Sequence, residues 1–262
     1  FWEYLVPKSF GDWLFNSTSG IEYDAENNRL FVNFTLFFED SDNASHIIQF
    51  DFDTEEVKVL LDGEDADGQH INARNVAYSN SALYFYSTSG LKRLPLDTLI
   101  VETVDSSAPG YARNLLSSIS RPNELYAISL DEFFEINTVS GEYRSISRQS
   151  EQSELLLSQF YQDDIDEHNN QVLVHDEDLD MIMGVDIDSG KRSRFFHSGV
   201  GIGKAIIDPW ALEIDEERNR IYLFDSGGNA PEPILDIDMT NGNRTEVGKV
   251  NRSVNRESQP PV

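Results

Sequence analysis

Three features predict an all-β fold, a β-propeller of four-stranded antiparallel blades. Apolar residues alternate in short runs, Asp- and Asn-rich turns separate the runs, and the whole pattern recurs. The turn-entry residues Asp53, Asp97, Asn137, Asp188 and Asp238 are spaced 44, 40, 51 and 50 apart. Val, Ile, Leu, Phe and Tyr at period two suit a pleated, half-buried strand. Asp and Asn suit the turns because their side chains bond the backbone two residues on and tolerate left-handed geometry.

The units run in order at about 14–62, 70–105, 110–148, 155–197 and 206–248. The first pairs "YDAENNRLFV" (23–32) with "IQFDFDTEE" (48–56), and the second "YSNSALYFY" (78–86) with "LKRLPLDTL" (91–99). "SISRPNELYAI" (118–128) and "DEFFEINTVSG" (131–141) form the third, "IDEHNNQVLV" (165–174) and "MGVDIDSGK" (183–191) the fourth. The fifth joins "IDEERNRIYL" (214–223) to "ILDIDMTNG" (234–242). Each unit reads as two hairpins, and one such sheet cannot cover its own apolar faces, so blades must stack. The apolar "FWEYLV" within residues 1–13 suits a closing strand, of a five-blade ring or of the remnant of a sixth blade. Five blades are counted, a sixth stays open, and residues 1–248 are expected to form one propeller domain, with 249–262 a polar tail or linker. The stretch 150–161, "SEQSELLLSQFY", is the one helix candidate, with a structureless loop as its alternative.

Composition limits the partners. The 262 residues carry 20 Lys and Arg against 47 Asp and Glu, a net charge of −27, and such a surface repels nucleic acid. With 39% hydrophobic and 11% aromatic residues there is enough apolar material for a core. The absence of Cys removes disulfides, thiolate metal sites and Cys nucleophiles together. No stretch approaches a membrane-spanning length of apolar residues. The opening "FWEYLVPKSF" lacks Met and a basic-then-apolar leader, and reads as a mature or excised segment.

The fifth unit resembles a known repeat. "SGVGIGKAIIDPWALEIDEERNRIYLFDSGGNAPEPILDIDMTNGNRTEVG" (198–248) looks like the NHL-type propeller repeat, in the version found in bacterial envelope or secreted proteins. The resemblance rests on Gly199, Gly201, Gly203, Pro209, the apolar-Asp run at 212–215, Asn219-Arg220, Asp225, the run 235–238, Gly242 and Arg244-Thr245. About half of the pattern recurs in the first and fourth units. It implies an extracytoplasmic binding domain: secreted, periplasmic or envelope-anchored.

In blades of this type the first strand faces a central channel, and the residues just before it ring the channel mouth. The alignment places there Ser19-Gly20, Arg74-Asn75, Arg113-Asn114, Tyr161-Gln162 and Trp210-Ala211. "ARN" occurs twice in equivalent places, and two Arg on one rim suit bidentate capture of a carboxylate, sulfate or phosphate. Tyr161 and Trp210 suit stacking on a sugar or flat ligand. The channel-rim candidates are therefore Arg74, Asn75, Arg113, Asn114, Tyr161 and Trp210. The plain alternative is that both Arg pair with neighbouring acids and the aromatics fill the hole.

Other chemistry has little support. "DGEDADG" (62–68) fails as an EF-type loop, since position 1 is Gly63 and position 12 is Arg74. "DDIDEH" (163–168) and "HDEDLD" (175–180) are carboxylate-dense without a ligand spacing, so no cofactor or metal site is expected, Ca2+ being the one ion such density would suit. The five His fall at unlike blade positions, and no GxSxG elbow or phosphate loop appears. Five N-x-S/T sequons, at Asn16, Asn33, Asn43, Asn243 and Asn251, read as chance matches. The leading reading is a non-enzymatic binding or interaction module, taking a protein or a small anionic or glycan ligand at the channel face. The first alternative is a metal-dependent hydrolase of the gluconolactonase type. It would draw on Asn75 and Asn114, and on Glu22, Asp164 or Glu213 if the register shifts. The second is a structural module of a larger surface protein.

Overall fold

The computed structural model describes residues 14–37, 44–64, 71, 73–87, 89–105, 112, 114–129, 132–148, 160–176, 181–197, 199–207, 209–225 and 232–250. Their regular structure consists of twenty strands in five antiparallel sheets, each of four strands in chain order. Blade one comprises β1 (Leu14–Asp24), β2 (Arg29–Phe37), β3 (Ala44–Asp51) and β4 (Val57–Asp62). Blade two comprises β5 (Arg74–Ser79), β6 (Ala82–Ser87), β7 (Gly90–Pro95) and β8 (Glu102–Asp105). Blade three has β9 (Asn114–Ser117), β10 (Glu124–Ile128), β11 (Glu132–Asn137) and β12 (Tyr143–Arg148). In blade four run β13 (Phe160–Asp166), β14 (Gln171–Asp176), β15 (Met181–Asp186) and β16 (Arg192–His197). Blade five is β17 (Pro209–Asp215), β18 (Arg220–Asp225), β19 (Glu232–Asp238) and β20 (Arg244–Val250). These are the blades of a β-propeller, as the alternation predicts. The proposed closing strand at 1–13 lies outside the described residues, as does most of the helix candidate, whose last two residues open β13.

The blades fall into two compact units, blades one to three within Phe1–Glu151 and blades four and five within Gln152–Val262. In the first unit the period-two pattern sends alternate residues to opposite neighbours. Leu83 and Phe85 of β6 join Phe31, Ile47 and Leu61 of blade one. Tyr84 and Tyr86, between and beyond them, join Leu125, Phe134 and Ile136 of blade three. Every residue of β6 is consequently buried, although an isolated sheet would bury only one face. In the second unit Leu173, Ile182 and Phe196 of blade four pack on Leu223, Leu235 and Ile237 of blade five.

The turns explain the Asp and Asn. In the first turn of blades one, four and five, Asp24, Asp166 and Asp215 accept the backbone N–H three residues on, from Asn27, Asn169 and Arg218. The turn then needs a left-handed residue, supplied by Asn28, Asn170 and Asn219 at φ 50, 54 and 54°. The second turns correct the alignment. Asp51 and Asp186, not Asp53 and Asp188, accept the N–H groups of Thr54 and Ser189, as Asn137 and Asp238 accept those of Ser140 and Thr240. Asp53 and Asp188 instead accept the side-chain amides of Asn28 and Asn170, tying the second turn to the first.

The glycine-rich lead of blade five has a physical role. Gly201, at φ 72°, lies so close to the turn of its own blade that a Cβ would meet the Gly242 carbonyl. Beside it, Arg244 donates to the carbonyls of Lys204 and Val200 at 2.7 and 2.9 Å, and Ile207 N–H donates to Asp225. The repeat's Gly, Asp and Arg thus pin the lead-in to the sheet that it precedes.

Asp166 is 1% exposed and also receives the side-chain amides of Asn169 and Gln171. Replacing it by Ala removes a buried carboxylate that accepts from the Asn169 N–H, the exposed Asn169 amide and the half-buried Gln171 amide. Asp166→Ala is expected to lower stability by about 1–3 kcal/mol. The exposed Asp97→Ala should stay within about 0.5 kcal/mol of the parent. Urea unfolding of both variants checks the contrast.

Candidate functional site

The first strand of every blade is a sheet edge. Its outward N–H and C=O groups have no strand partner in its own sheet. In the first unit β1, β5 and β9 lie against one another in sequence, and in the second β13 lies against β17. The heads of these strands are irregular in a repeated way. Pairing slips between Thr18 and Gly20 in β1, Arg74 and Ala77 in β5, Phe160 and Asp163 in β13, and Pro209 and Ala211 in β17. Residues at such bulges leave the ladder and can be re-aimed.

Four of the six rim candidates sit at or beside these irregularities. Asn75 occupies the β5 bulge at φ 52° and is half-buried. Its backbone is approached so closely by Gly20 that a Cβ there would lie 2.7 Å from Val76 N, which accounts for glycine in β1. Arg74 opens β5 opposite Tyr86. Tyr161 lies with Gln162 in the β13 bulge and Trp210 is the extra residue of the β17 bulge, placed here by their backbones. Asn114 is half-buried and begins β9 without a bulge, opposite Ile128. Arg113 lies outside the described residues. Beneath the β5 head, the Ala73 carbonyl accepts from Asn33 Nδ2 at 3.2 Å and Ser45 Oγ at 3.1 Å, both side chains buried.

Carboxylates do a job that spacing alone did not reveal. Glu22 of β1 accepts Tyr78 N–H of β5 at 3.3 Å and Ser117 Oγ of β9 at 2.7 Å, so one acid spans three first strands. In the second unit Asp164 of β13 accepts Ile214 N–H of β17 at 2.8 Å and Ile165 N–H at 2.7 Å. The sequence signal is an acid two residues before the turn Asp: Glu22 before Asp24, Asp164 before Asp166, Glu213 before Asp215. Tyr78 and Ser117 each stand three residues past Asn75 and Asn114. At about 3.3 Å of rise per residue, that puts the contacts of Glu22 roughly 10 Å below the rim amides.

Burial pushes the Asp164 carboxyl up to about 8, and the charges of Glu213 and Asp163 add to the shift. Burial raises Glu213 too, although it keeps solvent access, so Asp164 is the better-defined titrating group. Both Asp164 oxygens already receive N–H bonds, and no group of three or more His, Asp or Glu among the described residues could hold a metal ion.

No protein-family model matches the chain, and no curated protein is similar to it in sequence. Solved structures are similar in fold. A structure of a nidogen/laminin complex superposes with a TM-score of 0.64 at 12% identity, covering 89% of this chain and 80% of that one. An auxiliary nutrient binding protein from Bacteroides thetaiotaomicron gives 0.61 at 12%, covering 88% and 57%. The extracellular domain of a putative one component system from B. thetaiotaomicron gives 0.58 at 11%, covering 92% and 29%. The chain thus spans little more than half of the second and under a third of the last. At these identities the likeness establishes the β-propeller fold.

The Asp164 shift has a pH signature. In the unfolded chain the carboxyl ionises near 3.8, in the folded protein near 8. Between those values the folded state keeps a proton that the unfolded state has lost, so this group lowers stability as pH rises from about 4 to about 8. Asp164→Asn removes the titration at the cost of one acceptor. Its stability relative to the parent is expected to rise by more than about 1 kcal/mol between pH 5 and pH 8. Denaturant melts of both proteins at the two pH values give the measurement.

Proposed function

We propose that the protein is a non-enzymatic, extracytoplasmic binding module that engages its ligand at the heads of the first strands. The observation that carries this reading is the repeated irregularity there. The β-ladder is interrupted at the positions of Asn75, Tyr161 and Trp210, residues that the repeat itself does not specify. In the first unit Arg74 and Arg113 flank the two Asn and would offer guanidinium groups to a carboxylate, sulfate or phosphate of a small ligand, a glycan or a protein partner. Tyr161 and Trp210 hold the corresponding place in the blades of the second unit and would offer stacking surfaces. The NHL-like grammar of the fifth blade and the fold shared with an extracellular domain and a nutrient binding protein support an extracytoplasmic setting. Among the described residues no helix is long and apolar enough to cross a membrane.

Hydrolysis on the same frame is the second reading, favoured by one observation. Asp164 and Glu213 are neighbouring carboxyls, and burial with the charge of Glu213 raises the Asp164 carboxyl to about 8, where a protonated acid could serve as a general acid. A passive module of a longer surface protein is the third.

Binding of sulfated and carboxylated glycans and of candidate partner proteins to the full chain separates these readings. Arg74→Ala with Arg113→Ala is expected to weaken anionic ligands at least about tenfold, and Trp210→Ala to weaken glycans comparably. Asp164→Asn should leave binding unchanged, with no lactone or phosphoester hydrolysis in either protein. Hydrolysis lost in Asp164→Asn would establish the second reading, and indifference of every ligand to the rim variants would remove the first.

A further inference from the structure

A second site lies away from the first-strand heads, in the first unit. A cleft of about 410 Å³ opens between the outer half of blade two and the β11–β12 turn of blade three. Its volume falls within the range of about 300–1,000 Å³ typical of small-molecule sites. One wall is β7 and β8, contributing Arg93, Glu102 and Val104, and the other is the turn at 138–141.

The charges in the cleft decide what would enter. Among the described residues Arg93 and Glu102 are the only charged members of the lining, and Arg93 donates to Glu102 at 2.9 Å. The described lining is therefore neutral in a chain of net charge −27. An anion would have to displace Glu102 against that field, and a cation would have to sit beside Arg93. A neutral ligand meets neither obstacle. The paired guanidinium and carboxylate present donors and acceptors side by side, the complement of two adjacent hydroxyls.

The remaining lining completes the pattern. Asn80 Nδ2 is committed to Pro122 O and Asn123 Oδ1, leaving its Oδ1 as an acceptor. The Ser140 hydroxyl, on the exposed turn, donates to the Glu142 carboxylate at 3.4 Å and accepts the Glu142 N–H at 3.2 Å, which leaves a second lone pair as acceptor. Val139, 78% exposed, and half-buried Val104 give the cleft an apolar patch between these polar groups. Hydroxyl-bearing edges with C–H faces are the surface of a pyranose ring. We propose that this cleft binds a neutral saccharide, with the Arg93–Glu102 pair clasping vicinal hydroxyls and Val139 covering a C–H face.

The test titrates the full chain with maltose, cellobiose, lactose and N,N′-diacetylchitobiose, and with glucuronate and glucosamine as charged probes, by calorimetry and chemical-shift mapping. At least one neutral disaccharide should bind saturably and more tightly than either charged sugar. Arg93→Met and Glu102→Gln should each weaken it tenfold or more. Val139→Trp, a change on an exposed turn that leaves the core intact, should fill the cleft and abolish binding. Absence of saturable binding by all four neutral sugars, preference for a charged one, or binding that survives Val139→Trp would overturn the assignment. Trp210→Ala, which tests the first-strand heads, should leave this binding unchanged, so the two sites fail or stand separately.

Discussion

A four-stranded sheet with apolar residues on both faces has nowhere to hide them by itself, and that constraint organises everything else in this chain. β6 is the clearest case, since its six consecutive residues are all buried and send alternate side chains into two different clusters. Stacking blade on blade satisfies the faces but leaves each first strand as an edge. Burial of such an edge demands acceptors for its N–H groups. Glu22 and Asp164 are those acceptors, each receiving the N–H of the next blade's first strand. An otherwise costly carboxylate is thereby part of the joint between blades.

The two joints differ in electrostatic character. Glu22 receives a backbone N–H and the hydroxyl of Ser117, whereas Asp164 receives two backbone N–H groups and lies beside Glu213. In the second, desolvation and like charge both favour the protonated acid, and two N–H bonds are too little to offset them. The same structural position thus ties three first strands together in one unit and holds a carboxyl of raised pKa in the other.

Much of the fold was legible because a propeller repeats its physics. Alternation marks strands, and Asp24, Asp166 and Asp215 mark first turns through their bonds to the N–H three residues on. The second turns were less legible because "DFD" (51–53) and "DID" (186–188) offer two Asp each, and either could cap the turn. Blade five uses the second Asp of "DID" (236–238), whereas blades one and four use the first. The bulges could not be read at all, since an extra residue is a property of pairing between strands and not of one strand's composition. What the sequence does show at the bulged positions is that the residue changes from blade to blade, Asn75, Tyr161 and Trp210. The cleft between blades two and three escaped notice for the opposite reason: it joins residues about 40 apart that follow the repeat closely. The acid joint was missed although its signal, an acid two residues before the turn Asp, recurs three times.

Asn33 shows how folding can govern chemistry that sequence alone would permit. It heads an N-x-T sequon, yet in the fold it is fully buried, with its amide nitrogen bonded to the Ala73 carbonyl. A glycosyltransferase can reach that nitrogen only on an unfolded chain, and a glycan attached there cannot fit between blades one and two. In a host that glycosylates during export, folding and modification would race for this one atom. Whichever came first would decide whether the blade could close over it.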